Sequence, residues 1–283
     1  KALFGINDST QCLNTQTFVF TDKSLIAYGS LQRLWTWGDA AEDTGKIVSH
    51  YFAKDTLFKN RLVSISNQNC RDTAHLFVEA YSVPKPDFSI NDTDQCLPVQ
   101  KFQMANLSKI KQGTMGYIWL FGDGNSATSS NANHIYALPG SYQIQLSATS
   151  NFGCSDSIAK TNLVYHQPKA KLLFNDSAQC LRFNQFVLSG NSNIQQGSVL
   201  AYYWDTSGVN TAGLKDKTIA FGSYGTKTVR YVVQSDKGCL DTMYQTLTVH
   251  PMPRAKFTIN DSVQCAQNNQ YVFKATSVIA YGT

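Results

Sequence analysis

Length, composition and charge exclude several classes of protein. The 283 residues carry 24 Lys and Arg against 19 Asp and Glu, a net charge of +5, and only 15% of the residues are charged. The basic residues are scattered, whereas a surface for nucleic acid or for an anionic membrane needs them clustered. Since no apolar run is long enough to cross a bilayer either, we expect no nucleic-acid partner and no membrane insertion of this chain.

The seven cysteines recur at a fixed period. One set steps by 84, 84 and 85 residues, and a second set steps by 84 and 85. The first set is Cys12, Cys96, Cys180 and Cys265, and the second set is Cys70, Cys154 and Cys239. A constant period of this length predicts tandem repeats. Thiols placed so regularly indicate disulfide bonds in an oxidising compartment outside the cytoplasm.

The residues around the cysteines place the repeat boundaries. An Asn-Asp pair precedes every cysteine of the first set, an Asp follows every cysteine of the second set, and prolines mark the seams. We therefore expect three complete repeats and the start of a fourth, at 1–84, 85–168, 169–253 and 254–283. We also expect the array to continue in a longer protein.

Within each repeat the pattern predicts strands, taken here in chain order. A short strand follows the first cysteine, at 17–20, 101–104, 186–188 and 271–273. A longer strand follows at 58–65, 142–148 and 229–233, where apolar and polar residues alternate as in a half-buried strand. A turn and a last strand starting at the second cysteine complete the repeat. Roughly seven short strands per repeat predict an all-β chain of tandem immunoglobulin-like antiparallel β-sandwiches in a rod-like array.

The second repeat carries a family motif. Trp119-Leu-Phe121-Gly-Asp-Gly124 is followed by His134-Ile-Tyr136 and then by Pro139-Gly-Ser-Tyr142. This succession resembles the PKD domain. The first repeat keeps most of the motif, whereas the third has Tyr203-Trp204-Asp205-Thr206 in place of its core. The motif residues of the first two repeats are Trp35, Trp37, Gly38, Asp39, His50, Trp119, Phe121, Gly122, Asp123, Gly124, His134, Tyr136 and Tyr142.

These motif residues are expected to be structural. A Trp on the third strand of such a sandwich fills the core between the sheets. The alternative is a sugar-stacking platform made of Trp35, Trp37, Trp119, Phe121 and Trp204. Asp39 and Asp123 are expected to close their turns through hydrogen bonds to the backbone, and His50 and His134 to bond across a loop. The Gly-Asp-Gly turn lacks the Lys-Ser/Thr that a phosphate loop needs.

No residue pattern predicts an enzyme. We find no Cys, His and Asp arrangement that would provide a nucleophile with its base. Calcium needs six to eight oxygen ligands, whereas each Asn-Asp pair offers one or two carboxylates. We therefore expect no catalytic residue, no cofactor and no metal site. Calcium bound where both sets of acidic residues converge is the alternative.

The cysteine spacing leaves two pairings open. Bridges within repeats would join Cys12 to Cys70, Cys96 to Cys154 and Cys180 to Cys239. In an immunoglobulin-type order, however, the two cysteines of one repeat lie at opposite ends of a sandwich of roughly 27 Å, whereas a disulfide needs Cα atoms within about 7 Å. We therefore favour bridges between successive repeats, Cys12–Cys154 and Cys96–Cys239.

A further short pattern indicates covalent modification. Asp followed by Ser or Thr and a small or apolar residue resembles the O-glycosylation acceptor of exported proteins in gliding bacteria. The candidate acceptors are Ser9, Thr56, Thr73, Ser157, Ser177, Thr242 and Ser262. Asn7, Asn91, Asn175 and Asn260 also fit the pattern for N-glycosylation, which would matter only in a eukaryotic host. The structural alternative is that these short polar residues cap turns.

The cysteine-bearing PKD pattern also resembles long surface proteins that gliding bacteria export through the type IX system. The resemblance implies a non-catalytic stalk or adhesin of the bacterial cell surface, attached to the outer membrane. Its expected partners are neighbouring repeats of the same chain, an unidentified surface or glycan ligand, and the surface motility or secretion machinery. The rival hypotheses are an accessory module of a secreted polysaccharide- or protein-degrading enzyme and a passive component of a surface layer.

Overall fold

The computed structural model describes residues 1–206 and 211–279, and within these ranges the regular structure consists of strands, with no helix. The predicted all-β class is therefore confirmed. The chain divides into two compact units. The first contains residues 1–94, 101–136 and 140–163, and the second contains 95–100, 137–139 and the described residues from Val164 onward. No helix that could span a membrane occurs in the described ranges.

The first repeat is a sandwich of a three-stranded and a five-stranded sheet, and it lies wholly in the first unit. The sheets have the strand orders β1-β3-β6 and β2-β8-β7-β4-β5. The strands are β1 (Phe4–Ile6), β2 (Thr10–Cys12), β3 (Phe18–Asp22), β4 (Leu31–Thr36), β5 (Glu42–Asp43), β6 (Ile47–His50), β7 (Leu57–Ser66) and β8 (Arg71–Tyr81).

The second repeat has the same two sheets, with the orders β14-β11-β9 and β10-β16-β15-β12-β13. It lies in the first unit apart from residues 95–100, 137–139 and those from Val164 onward. Its strands are β9 (Phe88–Ile90), β10 (Asp94–Cys96), β11 (Phe102–Asn106), β12 (Met115–Leu120), β13 (Ser126–Ala127), β14 (Ala132–His134), β15 (Gly140–Ser150) and β16 (Ser155–Tyr165).

The third repeat follows the same plan within the second unit, with the sheet orders β17-β19-β22 and β18-β24-β23-β20-β21. A two-stranded sheet of β25 and β26 comes after it. The strands are β17 (Leu172–Phe174), β18 (Ala178–Cys180), β19 (Phe186–Gly190), β20 (Val199–Asp205), β21 (Thr211–Gly213), β22 (Asp216–Ile219), β23 (Gly225–Ser235), β24 (Leu240–His250), β25 (Phe257–Ile259) and β26 (Phe273–Ala275).

The strand expectations were close, and the differences concern the number of strands and their bounds. Each complete repeat has eight strands rather than roughly seven, because the segment before the first cysteine is split between the two sheets. β1 pairs with β3 antiparallel, and β2 then pairs with β8 in parallel in the other sheet. The strand expected at 17–20 runs over Phe18–Asp22, and the strand expected at 271–273 runs over Phe273–Ala275.

The core of each repeat is built around one tryptophan between the two sheets. Trp35, Trp119 and Trp204 lie on β4, β12 and β20 and are at most 1% exposed. Each indole N–H donates to a backbone carbonyl ten residues further along, of Gly45, Ser129 and Leu214 respectively. Trp37 and Phe121 are also buried, at 3% and 2% exposed. A sugar cannot reach rings buried to this degree, so the alternative of a stacking platform made of these motif aromatics is wrong.

Candidate functional site: disulfide bridges between repeats

Two disulfides join residues of successive repeats. Cys12 is bonded to Cys154 with a Cα–Cα distance of 5.4 Å, and Cys96 is bonded to Cys239 with a Cα–Cα distance of 5.6 Å. The partners are 142 and 143 residues apart in the chain. Each bridge therefore connects the first cysteine of one repeat to the second cysteine of the next repeat.

The parallel pairing of β2 with β8 explains why Cys12 is not bonded to Cys70. Cys12 lies opposite Tyr81, the last residue of β8. Cys70 directly precedes the first residue of the same strand. A strand rises about 3.3 Å per residue, so these two cysteines lie about 35 Å apart. The same holds in the third repeat, where Cys180 lies opposite His250 and Cys239 precedes β24.

A shared hairpin presents the second cysteine of each repeat. The N–H of Cys154 donates to the Ser150 hydroxyl at 3.1 Å, and Ser150 N–H donates to the Cys154 carbonyl at 2.7 Å. Cys239 and Ser235 repeat this arrangement. The residue before the cysteine has positive φ, +83° at Gly153, a conformation that glycine adopts without steric cost.

A polar clamp holds the segment that leads to the first cysteine. The Asn7 side chain accepts from Val19 N–H at 3.0 Å and donates to the Thr17 carbonyl at 2.9 Å. Gln11 accepts from Thr17 N–H at 2.7 Å. The same amide contacts recur at Asn175 with Gln179 and at Asn260 with Gln264. The recurring Asn-Asp-x-x-Gln-Cys pattern thus has a structural role, which the sequence reasoning did not identify.

A tyrosine at the end of the last strand of the preceding repeat contacts the hairpin that presents each second cysteine. Tyr81 stacks on Phe152 with ring centroids 4.1 Å apart and an interplanar angle of 9°. At the other bridge, the Lys237 ammonium lies 6.0 Å from the centre of the Tyr165 ring. Burial and the neighbouring Glu79 carboxylate raise the pKa of Tyr81 above its ordinary value. Cys154 and Cys239 are each only 1% exposed.

Three cysteines are unbonded and exposed: Cys70, Cys180 and Cys265. Cys70 is presented by the same hairpin as Cys154 and Cys239, with its N–H donating to the Ser66 hydroxyl at 3.0 Å. Asn69 takes the place of the hairpin glycine there, at φ +61°. Cys70 thus belongs to the second set of cysteines, and Cys180 and Cys265 belong to the first set. Other members of both sets form the two disulfides.

The motif histidines pair with the motif aspartates. His50 Nε2 lies 2.9 Å from an Asp39 carboxylate oxygen, and His134 Nε2 lies 2.7 Å from an Asp123 oxygen. The His134 ring stacks on Phe121 at 4.1 Å. The other oxygen of each Asp accepts a turn N–H, from Ala41 and from Asn125. The two aspartates therefore close the turn and hold the histidine at the same time.

The two motif tyrosines of the second repeat, Tyr136 and Tyr142, pack beside this aspartate–histidine pair. Tyr136 is 1% exposed, and its hydroxyl donates to the Phe121 carbonyl at 2.8 Å. Burial raises the pKa of Tyr136 to about 12. Its ring stacks on Tyr142 with centroids 3.8 Å apart. In the third repeat Ile219 stands opposite Phe186, at the register position where His134 stands opposite Phe102.

The candidate glycosylation residues lie mostly on the surface. Ser9, Thr56, Thr73, Ser157, Ser177 and Ser262 are exposed, and Thr242 is partly buried. Asp8 and Asp176 accept the N–H two residues further on, which is the turn-capping role weighed as the structural alternative. O-glycosylation stays a prediction. Nδ2 of each candidate N-glycosylation asparagine donates to a backbone carbonyl, a bond that an N-glycan would disturb.

Comparisons with known proteins identify the middle repeat. Residues 84–164 match the family model of the PKD domain. The chain is 27% identical over 162 residues to the pre-pro-metalloprotease PrtV of Vibrio cholerae, a match that covers 53% of the chain and 17% of that protein. The chain therefore corresponds to less than a fifth of the length of this relative.

Similar solved structures include single PKD domains and a longer immunoglobulin array. The PKD1 domain of Vibrio cholerae PrtV is 26% identical, and the match covers 29% of this chain and 96% of that one, with a TM-score of 0.26. The PKD1 domain of Vibrio anguillarum Epp is 21% identical over 29% of this chain and 93% of that one, with a TM-score of 0.25. The I67–I69 fragment of titin is 9% identical, over 87% and 98%, with a TM-score of 0.42. Residues 84–164 therefore match the PKD domain, and the first and third repeats share the strand order of this second repeat.

Proposed function

We propose that this chain is a non-catalytic stalk segment of an extracellular protein, in which disulfides join each repeat to the next. The observation that carries the proposal is that both disulfides join the same two positions of successive repeats. Cys12–Cys154 and Cys96–Cys239 connect equivalent positions, one repeat further along the chain. Disulfides of this kind persist only in oxidising compartments, which favours an extracellular location.

The two bridges give the segment two covalent routes for load. Between Cys12 and Cys239 the backbone alone runs over about 227 residues. With both bridges in place, a path of about 84 residues through Cys96, or of about 85 through Cys154, spans the same points. The bridges therefore remove about 143 residues from the fully extended chain, or roughly 500 Å at about 3.5 Å per residue. A tether under load would stretch far less for this reason.

Single-molecule pulling between residues 1 and 283 tests this function. We expect the oxidised chain to extend about 500 Å less at full stretch than the same chain with all cysteines reduced. A variant with Cys12→Ser and Cys96→Ser should behave as the reduced chain under oxidising conditions. A Cys70→Ser variant is the matched control and should behave as the oxidised wild type. Equal full extension of the oxidised and reduced chains would contradict the stalk proposal.

The finer form of the proposal is a surface adhesin. A cell-surface stalk attached at the outer membrane, exported by the type IX system and acting in gliding motility, resembles the adhesin SprB and suits covalently joined repeats with exposed Asp-Ser and Asp-Thr positions for O-glycans. Deletion of the repeats in the native host, followed by measurement of attachment and gliding, tests this form. Unchanged attachment and gliding with normal protein levels at the surface would contradict it.

A second candidate function is an accessory module of a secreted enzyme. The observation that favours it is the 27% identity to the pre-pro-metalloprotease PrtV over 162 residues. In that case the parent protein carries a catalytic domain, and removal of these repeats should impair secretion or action on a solid substrate. The complete parent sequence distinguishes the two functions, since a catalytic domain in it supports the module and its absence supports the stalk.

A further inference from the structure

A cleft of about 930 Å³ opens between the first two repeats, inside the first compact unit. The first repeat contributes Tyr51 and Asp55 to its walls, and the second contributes Lys85, Lys109, Lys111 and Asp156. We call it the junction cleft. Its walls carry three ammonium groups and two carboxylates. The contacts of these groups decide which charges are already paired within the protein.

Two of the three lysines face each other directly. Lys85 and Lys109 form an isolated antiparallel bridge, in which each N–H donates to the other carbonyl at 2.8 and 3.0 Å. Side chains of such a pair project on the same side of the strands, with Cα atoms about 5.5 Å apart. Like charges placed directly opposite each other are unfavourable. Neither ammonium has an ion-pair partner within the described part of the chain, so an anion placed between them would relieve the repulsion.

The third lysine is already neutralised. Lys111 Nζ of the second repeat forms an ion pair with the Asp55 carboxylate of the first repeat. The side chain of Asp55 is only 11% exposed, whereas that of Lys111 is 69% exposed, so the carboxylate is the more sheltered member of the pair. Lys85 and Lys109 therefore supply the positive charge of the cleft that remains available.

Asp156 has one carboxylate oxygen whose counterpart in the other repeats accepts a backbone hydrogen bond. In the first and third repeats, the matching carboxylates of Asp72 and Asp241 accept the N–H groups of Ala2 and Ala170, each at 2.7 Å. The second repeat has Pro86 at this position, and proline has no N–H to donate. Asp156 keeps only its bond from Ser157 N–H at 2.8 Å, so its other oxygen can accept a hydroxyl group.

Tyr51 supplies an apolar surface at the same wall. Its side chain is 58% exposed, although its hydroxyl donates to the Leu13 carbonyl at 3.3 Å. A tyrosine fixed at its polar tip presents the face of its ring at little cost in conformational entropy. The apolar C–H face of a pyranose ring is a suitable partner for such a surface.

We propose that the junction cleft binds an acidic saccharide. The sugar ring covers Tyr51, its carboxylate or sulfate lies between Lys85 and Lys109, and one of its hydroxyls donates to Asp156. This binding site goes beyond the proposed stalk function, and neither depends on the other.

The other repeats lack this combination and provide matched substitutions. The bridge equivalent to Lys85–Lys109 joins Lys169 to Asn193 in the third repeat. The residue equivalent to Tyr51 in the second repeat is Ile135. Lys109→Asn and Tyr51→Ile therefore introduce residues that the same fold already accommodates at the same place, so both variants are expected to fold.

Isothermal titration of the oxidised 1–283 chain with three oligosaccharides tests the proposal. The probes are oligogalacturonate, sulfated galactan fragments and neutral galactan fragments of equal length. We expect an acidic probe to bind with an affinity that falls with salt. The neutral probe should bind at least about tenfold more weakly, since it lacks a charged group to bond with the two lysines. The acidic probe that binds with the higher affinity shows whether the site prefers a carboxylate or a sulfate.

The variants give the decisive comparison. Lys109→Asn and Tyr51→Ile should each weaken the acidic probe at least about tenfold, whereas Lys169→Ala, in the third repeat, should leave it unchanged. Melting temperatures and the disulfide map of each variant check that it is folded and bridged. Failure of both acidic probes to bind, equal binding of the neutral probe, or undiminished binding by folded Lys109→Asn would each overturn the proposal. None of these results bears on the extension of the bridged chain under force.

Discussion

At the scale of single residues, the motif shared by the first two repeats is a set of fixed polar contacts around an aromatic core. Asp39 and Asp123 each bind a turn N–H with one oxygen and a histidine with the other. Burial alone would raise the pKa of the Asp123 carboxyl, but hydrogen bonds from Asn125 and His134 outweigh it and lower that pKa from its ordinary value of 3.8. Burial likewise raises the pKa of Asp39, but hydrogen bonds from His50 and Ala41 outweigh it, so that pKa is also lowered.

This shift predicts how stability depends on pH. A carboxyl whose pKa is lowered in the folded state stabilises the fold fully above its ordinary pKa, and the contribution is lost as the pH falls through the folded pKa. Asp123→Asn should therefore destabilise the chain by about 1–2 kcal/mol at pH 7, and the difference from the wild type should shrink below about pH 4. Thermal unfolding of both proteins from pH 7 to pH 2 measures it. A difference that stays constant over this range would contradict the assigned role.

At the scale of elements, the turn after the motif aspartate has a different residue in the first and second repeats, and the two residues differ in conformational cost. Gly124 and Ala40 occupy the same position after the motif aspartate, with φ values of +93° and +72°. A Cβ at Gly124 would meet no atom within 4 Å, so the cost of alanine there is conformational rather than steric. Left-handed backbone costs an L-residue other than glycine roughly 1–2 kcal/mol.

The two turns therefore predict opposite effects of reciprocal substitutions. Ala40→Gly should stabilise the first repeat, and Gly124→Ala should destabilise the second, each by about 1 kcal/mol. Urea unfolding of the two variants and of the wild type measures both changes. Effects of the same sign would show that the turn conformation does not limit stability at this position.

The sequence allowed prediction of most strands because their alternation reports burial directly. The alternating pattern of β15 and the tryptophan of β12 place core residues without any knowledge of distant contacts. The split between β1 and β2 was not predictable in this way, since two three-residue strands separated by a turn carry too short a pattern. The amide clamp of Asn7 and the junction cleft were missed for another reason, because each depends on which residues the tertiary fold brings together.

At the scale of the whole molecule, the bridges protect covalent continuity. Any single cut of the backbone between Cys12 and Cys239 leaves the two pieces joined by at least one disulfide. A cut on the C-terminal side of Cys239 has no bridge across it among the bonds of the described residues. A surface protein exposed to proteases would benefit from this arrangement.

Site-specific cleavage tests this continuity. A protease site inserted at Tyr28, which is 92% exposed, should yield one full-length band on a non-reducing gel and two fragments after reduction. The matched control is a site inserted at Met252, beyond Cys239, where two fragments should separate without reduction. Separation of the fragments cut at Tyr28 before reduction would show that the first repeat is not bridged to the second.

The pairing of the cysteines is the central claim, and peptide mapping tests it most directly. Lys or Arg separates every two successive cysteines in the chain, so each of the seven lies in its own tryptic peptide. Digestion of the chain under non-reducing conditions, with free thiols blocked, should give linked peptides containing Cys12 with Cys154 and Cys96 with Cys239, and blocked Cys70, Cys180 and Cys265. A linked peptide that joins Cys12 to Cys70 would contradict the bridging of successive repeats.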